Sequence, residues 1–440
     1  LLNPWIADFT AYNLWLAPLG LLQIAAYLRR AGAELQFVDC LDPAQCGEIS
    51  RTRADGTGPL PSWQAPKPDV LKSVPRRFKF YGISPEDFDR AVKDSGKIDG
   101  VFVTSSMTYW YPGVQFAVER IKKLLGPVPV ILGGIYATLL QDHARAHSGA
   151  DFVISGPVEE KLAAVLDEIF NIKISQPLSW ERQHPAYSLF SRRGYLPFMT
   201  SRGCPFRCSY CASARLWGGF SELDWQACLK RLLAIKKNFS SVKNIVFYDD
   251  ALFWRREERI KPLLRAVVKE GLDFSFHTPN GLHVAQLDAE LARSMKQAGF
   301  RTLHLSLESS SEEFFFHTRS GHKRADLGKA VKLLQEAGFS PSEIEVYLLI
   351  GLPEQQAQEV EESMRYAGRA GVRVRLAYFS PVPGTDLWRE MVEKGYLKED
   401  SDPLLQNKVL FPYLWPGIGS EELIRLKALQ RRINCGEPAP

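Results

Sequence analysis

The sequence predicts an α/β protein in two parts: an N-terminal doubly wound parallel-sheet (Rossmann-like) domain, then a partial (β/α)6 barrel. Two alternating series of strand-like and helical stretches predict this, over residues 1–170 and 196–390, with a polar stretch around His184 and Pro185 between them. At 440 residues, 45% hydrophobic and 24% charged, the chain has enough apolar material for two or three cores.

In the first series, strand-like runs fall at Gln36–Asp39, Gly100–Thr104, Val128–Leu132 and Asp151–Ser155. Helical patterns occupy Leu19–Arg30, Gly113–Leu125 and Glu159–Phe170. Strands and helices alternating at these lengths imply a parallel sheet covered on both faces. Residues 46–98, rich in Pro, Gly and basic residues, interrupt the series. Connections of that length are uncommon and usually functional, so a lid, an interface or both is expected there. Residues 171–195 read as a linker.

The second series has strands at Leu196–Thr200, Asn244–Tyr248, Phe274–Thr278, Thr302–Leu307, Glu345–Ile350 and Val374–Phe379. Six βα units are two short of a closed eightfold barrel, so an open three-quarter barrel follows, with ligands at the carboxyl ends of its strands. Residues 391–440 form a C-terminal extension with one expected helix, Ser420–Asn434.

Lys and Arg number 55 against 50 Asp and Glu, and the surplus of +5 is spread along the chain rather than gathered in the patch a nucleic-acid binder needs. No nucleic-acid partner is expected. No apolar run approaches the roughly 18 residues of a transmembrane span. Asn3, Pro4 and Asp8 stand where a signal peptide would carry basic residues and an apolar run, so a cytoplasmic protein is expected.

Seven cysteines form an odd, sparse set, unlike a disulfide scaffold. Three of them, Cys204, Cys208 and Cys211, fall within Ser201-Arg-Gly-Cys-Pro-Phe-Arg-Cys-Ser-Tyr-Cys211, just after the first barrel strand. This C-x3-C-x2-C spacing lets one short loop hold three corners of a cubane iron-sulfur cluster and leaves the fourth iron open. Structural zinc wants four closed ligands, and neither a second Cys pair nor a nearby His follows. Three unliganded buried thiols at this spacing beside Gly203 would be a coincidence.

With Tyr210 just before the third Cys, the motif resembles the radical S-adenosylmethionine (SAM) superfamily signature, and the resemblance covers most of the chain. It implies a 4Fe-4S cluster whose open iron chelates the amino and carboxylate groups of SAM. Reductive cleavage to a 5′-deoxyadenosyl radical is implied too, with an external one-electron reductant of flavodoxin or ferredoxin type. Asp249 and Asp250, in Phe-Tyr-Asp-Asp-Ala, match the place that binds the SAM amino group. Asn280, in Thr-Pro-Asn-Gly, would bond the ribose or methionyl part, with an ordinary Asn-Gly turn as the competing reading.

Glu308, in Leu-Ser-Leu-Glu-Ser-Ser, resembles the family's Glu-Ser pair and would suit the ribose hydroxyls, although Ser306 stands where relatives often carry Gly. Arg319 would pair with the SAM carboxylate, against the default of a surface arginine. Gly351, in Gly-Leu-Pro, resembles the loop against the adenine, and Ser380-Pro-Val-Pro-Gly-Thr385 is a fold marker. His277, His283 and His304 lie in or next to strands and read as core residues without an assigned role.

The front domain resembles the cobalamin-binding module that precedes the radical domain in one large subgroup. Asn3-Pro4, Ala17–Leu21, Val101–Thr108 and Gly133–Thr138 carry this resemblance. Gly133 and Gly134 would let backbone lie close to a bulky ligand, with the hydroxyls of Ser105, Ser106 and Thr108 beside it. There is no Asp-x-His-x-x-Gly segment to ligate cobalt through an imidazole, and Tyr109, Trp110 and Tyr111 would either shield the cobalt or pack the core.

The implied reaction is cobalamin-dependent methylation of an unactivated carbon, or of phosphorus, in a small-molecule or lipid-like substrate. A radical rearrangement or ring-forming enzyme without net methylation, and a cobalamin-binding sensor, are the alternatives. Methylthiolation would need three additional front-domain cysteines, where only Cys40 and Cys46 occur.

Overall fold

The structure is a computed structural model that describes residues 1–42, 44, 52–174, 178–190 and 194–436. It divides into two compact units, Leu1–Arg193 with Asp400–Asn407, and Gly194–Glu399 with Lys408–Pro440.

The first unit is built on five parallel strands, β1 (Leu2–Asn3), β2 (Val38–Asp39), β3 (Val101–Val103), β4 (Val130–Leu132) and β5 (Phe152–Val153), in the order β5-β4-β3-β1-β2. Successive side chains of a strand face opposite sides, so each strand feeds two cores. Val101, Val103, Val130 and Leu132 pack with Phe88, Val92, Val114 and Val118 on one side. Phe102 and Ile131 pack with Leu21, Tyr27, Leu162 and Leu166 on the other. The order reverses between β1 and β3, and ligands of doubly wound sheets bind at such a reversal.

The expected insertion at 46–98 is only partly an insertion. Pro85–Asp94 is a helix with Ser84 as N-cap, its Oγ accepting from the Asp87 amide at 3.1 Å. Its Phe88 and Val92 are core residues, so this stretch is the crossover between β2 and β3. Before it, Lys79–Tyr81 pairs antiparallel with both Ile6–Asp8 and Ser62–Gln64, and Gly58–Pro59 pairs with Tyr12–Asn13. Cys46 lies outside the described residues.

The expected linker, 171–195, is not a free tether where it is described. Trp180, Tyr187 and Phe190 are buried, and the Ala186 amide donates to the Leu22 carbonyl at 2.9 Å. Ala186 packs on Ala25 and Ala26, an apolar contact that the polar composition of the segment hides.

The second unit carries six parallel strands in sequential order: β6 (Tyr195–Phe198), β7 (Asn244–Phe247), β8 (Ser275–His283), β9 (Phe300–Glu308), β10 (Ile344–Ile350) and β11 (Arg373–Tyr378). Phe247 and Phe300 stack with ring centroids 5.8 Å apart, flanked by Phe276 and Phe198. Helix Ser420–Asn434 forms, and its Gln430 and Asn434 amides donate to the Val374 carbonyl at 2.9 and 3.0 Å. Among the described residues no helix is long and apolar enough to cross a membrane.

Candidate active site

The cysteine loop leaves the carboxyl end of β6 and is held from below. Asp249, buried at the end of β7, accepts from the Thr200 hydroxyl at 2.5 Å, the Ser201 hydroxyl at 2.6 Å and the Thr200 amide at 3.1 Å. Arg259, 4% exposed, lies 3.5 Å from the same carboxylate and donates to the Thr200 hydroxyl at 2.8 Å and the Trp254 carbonyl at 2.7 Å. Gly203 then turns with φ +77°, where an added Cβ would sit 2.0 Å from the Gly219 carbonyl oxygen. Further along, the Ser209 amide donates to Thr318 at 2.9 Å, and the Ser209 carbonyl accepts from Leu387 at 3.0 Å.

Cys204 and Cys208 are half-buried, and Cys211 is exposed. Burial first, and the neighbouring thiols and carboxylates after it, push the Cys204 thiol up to about 11 and the Cys208 thiol up to about 12. A set of soft sulfur donors beside carboxylates fits a positively charged iron cluster, which draws the thiols into the thiolate form. The Ser213 amide at 3.5 Å from Cys211 Sγ adds an N–H toward sulfur. Among the described residues no three His, Cys, Asp or Glu side chains are grouped to hold a metal ion. A cubane spreads its three thiolates over three irons, so their convergence on one ion is not required.

The expected SAM contacts divide into two groups. The Asp249 carboxylate is taken up by the network beneath the cysteine loop. Asp250 is exposed at the same strand end; its Oδ2 accepts from the Ser213 hydroxyl at 2.7 Å, and the protein packed around it raises its carboxyl. Asn280 does not lie in an Asn-Gly turn: Pro279–Gly281 bulges out of β8 between the pairs Thr278–Leu303 and Leu282–Leu305. Its amide donates to the carbonyls of Tyr248 and Asp249, each at 3.1 Å.

Glu308 ends β9 at a second register shift, with φ +64°, a conformation rare for a side chain of this kind. Its Oε1 accepts from the Ser306 hydroxyl at 2.6 Å. Arg319, half exposed, pairs with Asp386. Gly351 has φ +94°, and an added Cβ would meet the Phe411 ring at 2.5 Å; its carbonyl accepts from Trp415 Nε1 at 3.0 Å.

Of the three histidines noted in the sequence, two are satisfied core residues. His277 meets Thr302 Oγ1 at 2.9 Å and Asn244 Oδ1 at 3.1 Å, and His304 meets the Thr278 carbonyl at 2.8 Å. His283 differs, because its ring stacks between Phe206 of the cysteine loop, at 4.6 Å, and His322, at 4.0 Å. Burial, then the neighbouring His322, lowers the His283 imidazole to about 3 and keeps it neutral. His322 sits in a loop with no motif around it to mark it in the sequence.

In the first unit, Ser105 and Gly134 meet directly: a Cβ on Gly134, at φ +98°, would lie 2.2 Å from the Ser105 carbonyl oxygen. The Ser105 hydroxyl donates to the Gly133 carbonyl at 2.6 Å. Thr108 is buried, and its hydroxyl donates to Gln406 at 2.5 Å, so it is engaged by the segment that returns from beyond the barrel. Tyr111 lies 3.3 Å from Asp402 in the same segment, and Trp110 donates to Asp8 at 2.7 Å. Ser106, Gly134 and Ile135 are exposed at the carboxyl ends of β3 and β4, and Gly133 is half-buried. Bare backbone beside an apolar side chain and a hydroxyl suits the edge of a large planar ligand such as cobalamin.

Two family models match the chain: the radical SAM superfamily over residues 198–367, and the B12 binding domain over residues 78–166. An uncharacterized methyltransferase of Pyrococcus horikoshii is 28% identical over 225 residues, 48% of this chain and 47% of that protein. The hopanoid C-3 methylase of Methylococcus capsulatus is 23% identical over 404 residues, 88% of this chain and 72% of that protein. The chain thus spans about half the length of the first of these curated relatives. Among solved structures, the radical SAM methyltransferase TsrM of Kitasatospora setae has the same fold, with a TM-score of 0.66 at 14% identity, over 89% of this chain and 75% of that one. A three-cysteine loop at the mouth of a six-stranded barrel, preceded by a doubly wound sheet, accounts for both matches: residues 198–367 carry a radical SAM superfamily domain and residues 78–166 a B12 binding domain.

Proposed function

We propose that this protein methylates an unactivated carbon of a small-molecule or lipid-like substrate in a cobalamin-dependent radical SAM reaction. The observation that carries the reading is the C-x3-C-x2-C loop at the barrel mouth, in one chain with a doubly wound sheet that has bare glycine backbone at its carboxyl edge. The bound groups would supply an electron for SAM cleavage, a 5′-deoxyadenosyl radical for hydrogen abstraction, and a methyl group on cobalt.

The chain's own residues would hold and orient these groups. Cys204, Cys208 and Cys211 hold the cluster, and Asp249 with Arg259 sets the loop that presents them. Asp250 and Asn280 face the SAM amino acid and ribose, while Glu308 receives the ribose hydroxyls. Arg319 meets the SAM carboxylate by exchanging Asp386 for it, a change that costs little because both partners are half exposed. The Gly351 loop, backed by Phe411, lies against the adenine. Ser106, Gly133 and Gly134 border the cobalamin, with Ser105 and Thr108 supporting them from within. A flavodoxin- or ferredoxin-type protein supplies the electron, and thiol ligation suits the reducing cytoplasm.

The test is anaerobic purification and reconstitution, with measurement of iron, of 5′-deoxyadenosine formed from SAM, and of cobalamin retained after desalting. About four irons per chain, lost when the three cysteines become Ala, together with retained cobalamin, support the reading. A cluster that cleaves SAM without retaining cobalamin sinks cobalamin-dependent methylation, and the absence of a cluster sinks the radical reading itself.

A further inference from the structure

Beside the cysteine loop, the ends of β8 and β9 and the loop Ser320–His322 enclose a group of buried polar side chains. His322 Nε2 lies 3.1 Å from Glu308 Oε2 and 3.2 Å from Ser306 Oγ, and Ser306 Oγ in turn donates to Glu308 Oε1. Beside the Glu308 Oε2–His322 Nε2 pair, four buried polar atoms here lack a well-formed hydrogen bond among the described residues: His322 Nδ1, His283 Nδ1 and Nε2, and Ser320 Oγ. Native proteins leave few such atoms, and each one costs stability unless a partner satisfies it. Glu308 is also held at φ +64°, a strained conformation of the kind found where backbone serves a ligand.

A group of unmatched donors and acceptors suits a ligand that offers both on neighbouring atoms, and the two hydroxyls of a ribose do so. We propose that Glu308 and His322 form one recognition unit for the ribose of SAM, with His322 the positioning residue that fixes the Glu308 carboxylate. His283 sets His322 in turn: its ring lies between Phe206 and His322, so the ribose grip is packed directly on the cysteine loop. Gly281 completes the arrangement. A Cβ there would sit 2.6 Å from Ser306 Cβ, so only glycine lets Ser306 approach and hold Glu308.

This inference rests on the proposed ribose role of Glu308, and the test separates the two. SAM affinity is measured anaerobically by equilibrium dialysis on the cluster-loaded protein, with iron content confirming that each variant retains its cluster. Glu308→Gln should weaken SAM binding about tenfold or more, the usual effect of losing a hydrogen bond to a charged group. His322→Phe, which keeps the ring stack but loses the nitrogens, should weaken it about as much. His322→Gln, whose amide reaches the Nε2 position, should restore most of the loss. The double variant Glu308→Gln with His322→Phe should bind no worse than Glu308→Gln alone, as expected for two residues acting through one contact. Unchanged affinity in Glu308→Gln would overturn the ribose role. Weakened Glu308→Gln beside an unchanged His322→Phe, or losses that simply add, would overturn the positioning role alone.

Discussion

Asn407 donates a hydrogen bond to Asp8 at 2.8 Å, although 399 positions separate them in the chain. Both side chains are buried, and Asp8 also accepts from the Phe9 amide at 2.6 Å and from Trp110 Nε1 at 2.7 Å. With Gln406 on Thr108 and Asp402 beside Tyr111, the segment Asp400–Asn407 is fastened to residues that follow β1 and β3, the two strands between which the sheet order reverses. The front unit is therefore completed by residues from near the other end of the sequence.

Asn407→Ala should destabilise the protein by about 1–3 kcal/mol, because it leaves the buried Asp8 carboxylate short of a donor. Denaturant unfolding measures this. The same variant should retain less cobalamin after desalting, while its iron content stays at the wild-type level.

Asp249→Ala should empty the cysteine loop of its cluster even though no thiol is changed. It removes the acceptor of Thr200 and Ser201 and one of the two carboxylates beside the buried Arg259 guanidinium, which keeps Glu222 at 3.3 Å, a loss of about 1–3 kcal/mol. Iron content after reconstitution, read beside the melting temperature, measures it. Full iron loading in a stably folded Asp249→Ala protein would remove the network from any part in placing the loop.

Gly203→Ala should act more strongly than Gly271→Ala, although both glycines have positive φ. The conformational cost of about 1–2 kcal/mol is common to both. Only at Gly203 does the new Cβ meet backbone, the Gly219 carbonyl at 2.0 Å, whereas nothing lies within 4 Å at Gly271. Reduced iron content in Gly203→Ala alone is the expected outcome.

Asp288 should contribute stability that acid removes. Burial would raise its carboxyl, but the Leu291 amide, Lys261 and Arg256 outweigh it and hold the group down at about 2, below the ordinary 3.8. A depressed folded value means stability present above the unfolded value and lost as pH falls from about 4 through about 2. Solvent screens this partly exposed carboxylate, so Asp288→Asn should cost about 1 kcal/mol at neutral pH and almost nothing at pH 2, as measured by denaturant unfolding at both.

Local chemistry made much of this protein legible before folding was considered. The cysteine spacing, the six barrel strands and the helices Leu19–Arg30 and Glu159–Phe170 all depend on residues close in sequence, whose periodicity reports which face is buried. β1 leaves no signal in the sequence because a two-residue strand has no periodicity of its own, yet it pairs with both β2 and β3. Pro85–Asp94 was hidden for a different reason: only Phe88 and Val92 of its residues are buried, and polar neighbours dilute the pattern.

Motifs also identified positions without assigning their tasks. Asp249 and Asp250 are adjacent and chemically alike, and the fold alone separates them by placing one carboxylate among Thr200, Ser201 and Arg259 and leaving the other exposed. His277, His283 and His304 look equivalent as residues in or beside strands. Two find partners across neighbouring strands, while the third meets an aromatic ring from the cysteine loop and a second histidine from a loop 39 positions onward. Ligand type and spacing are local properties, carried by a few consecutive residues. The partner of a buried polar group is set by which strands, loops and returning segments the folded chain brings within about 3 Å of it, and no stretch of sequence contains that distance.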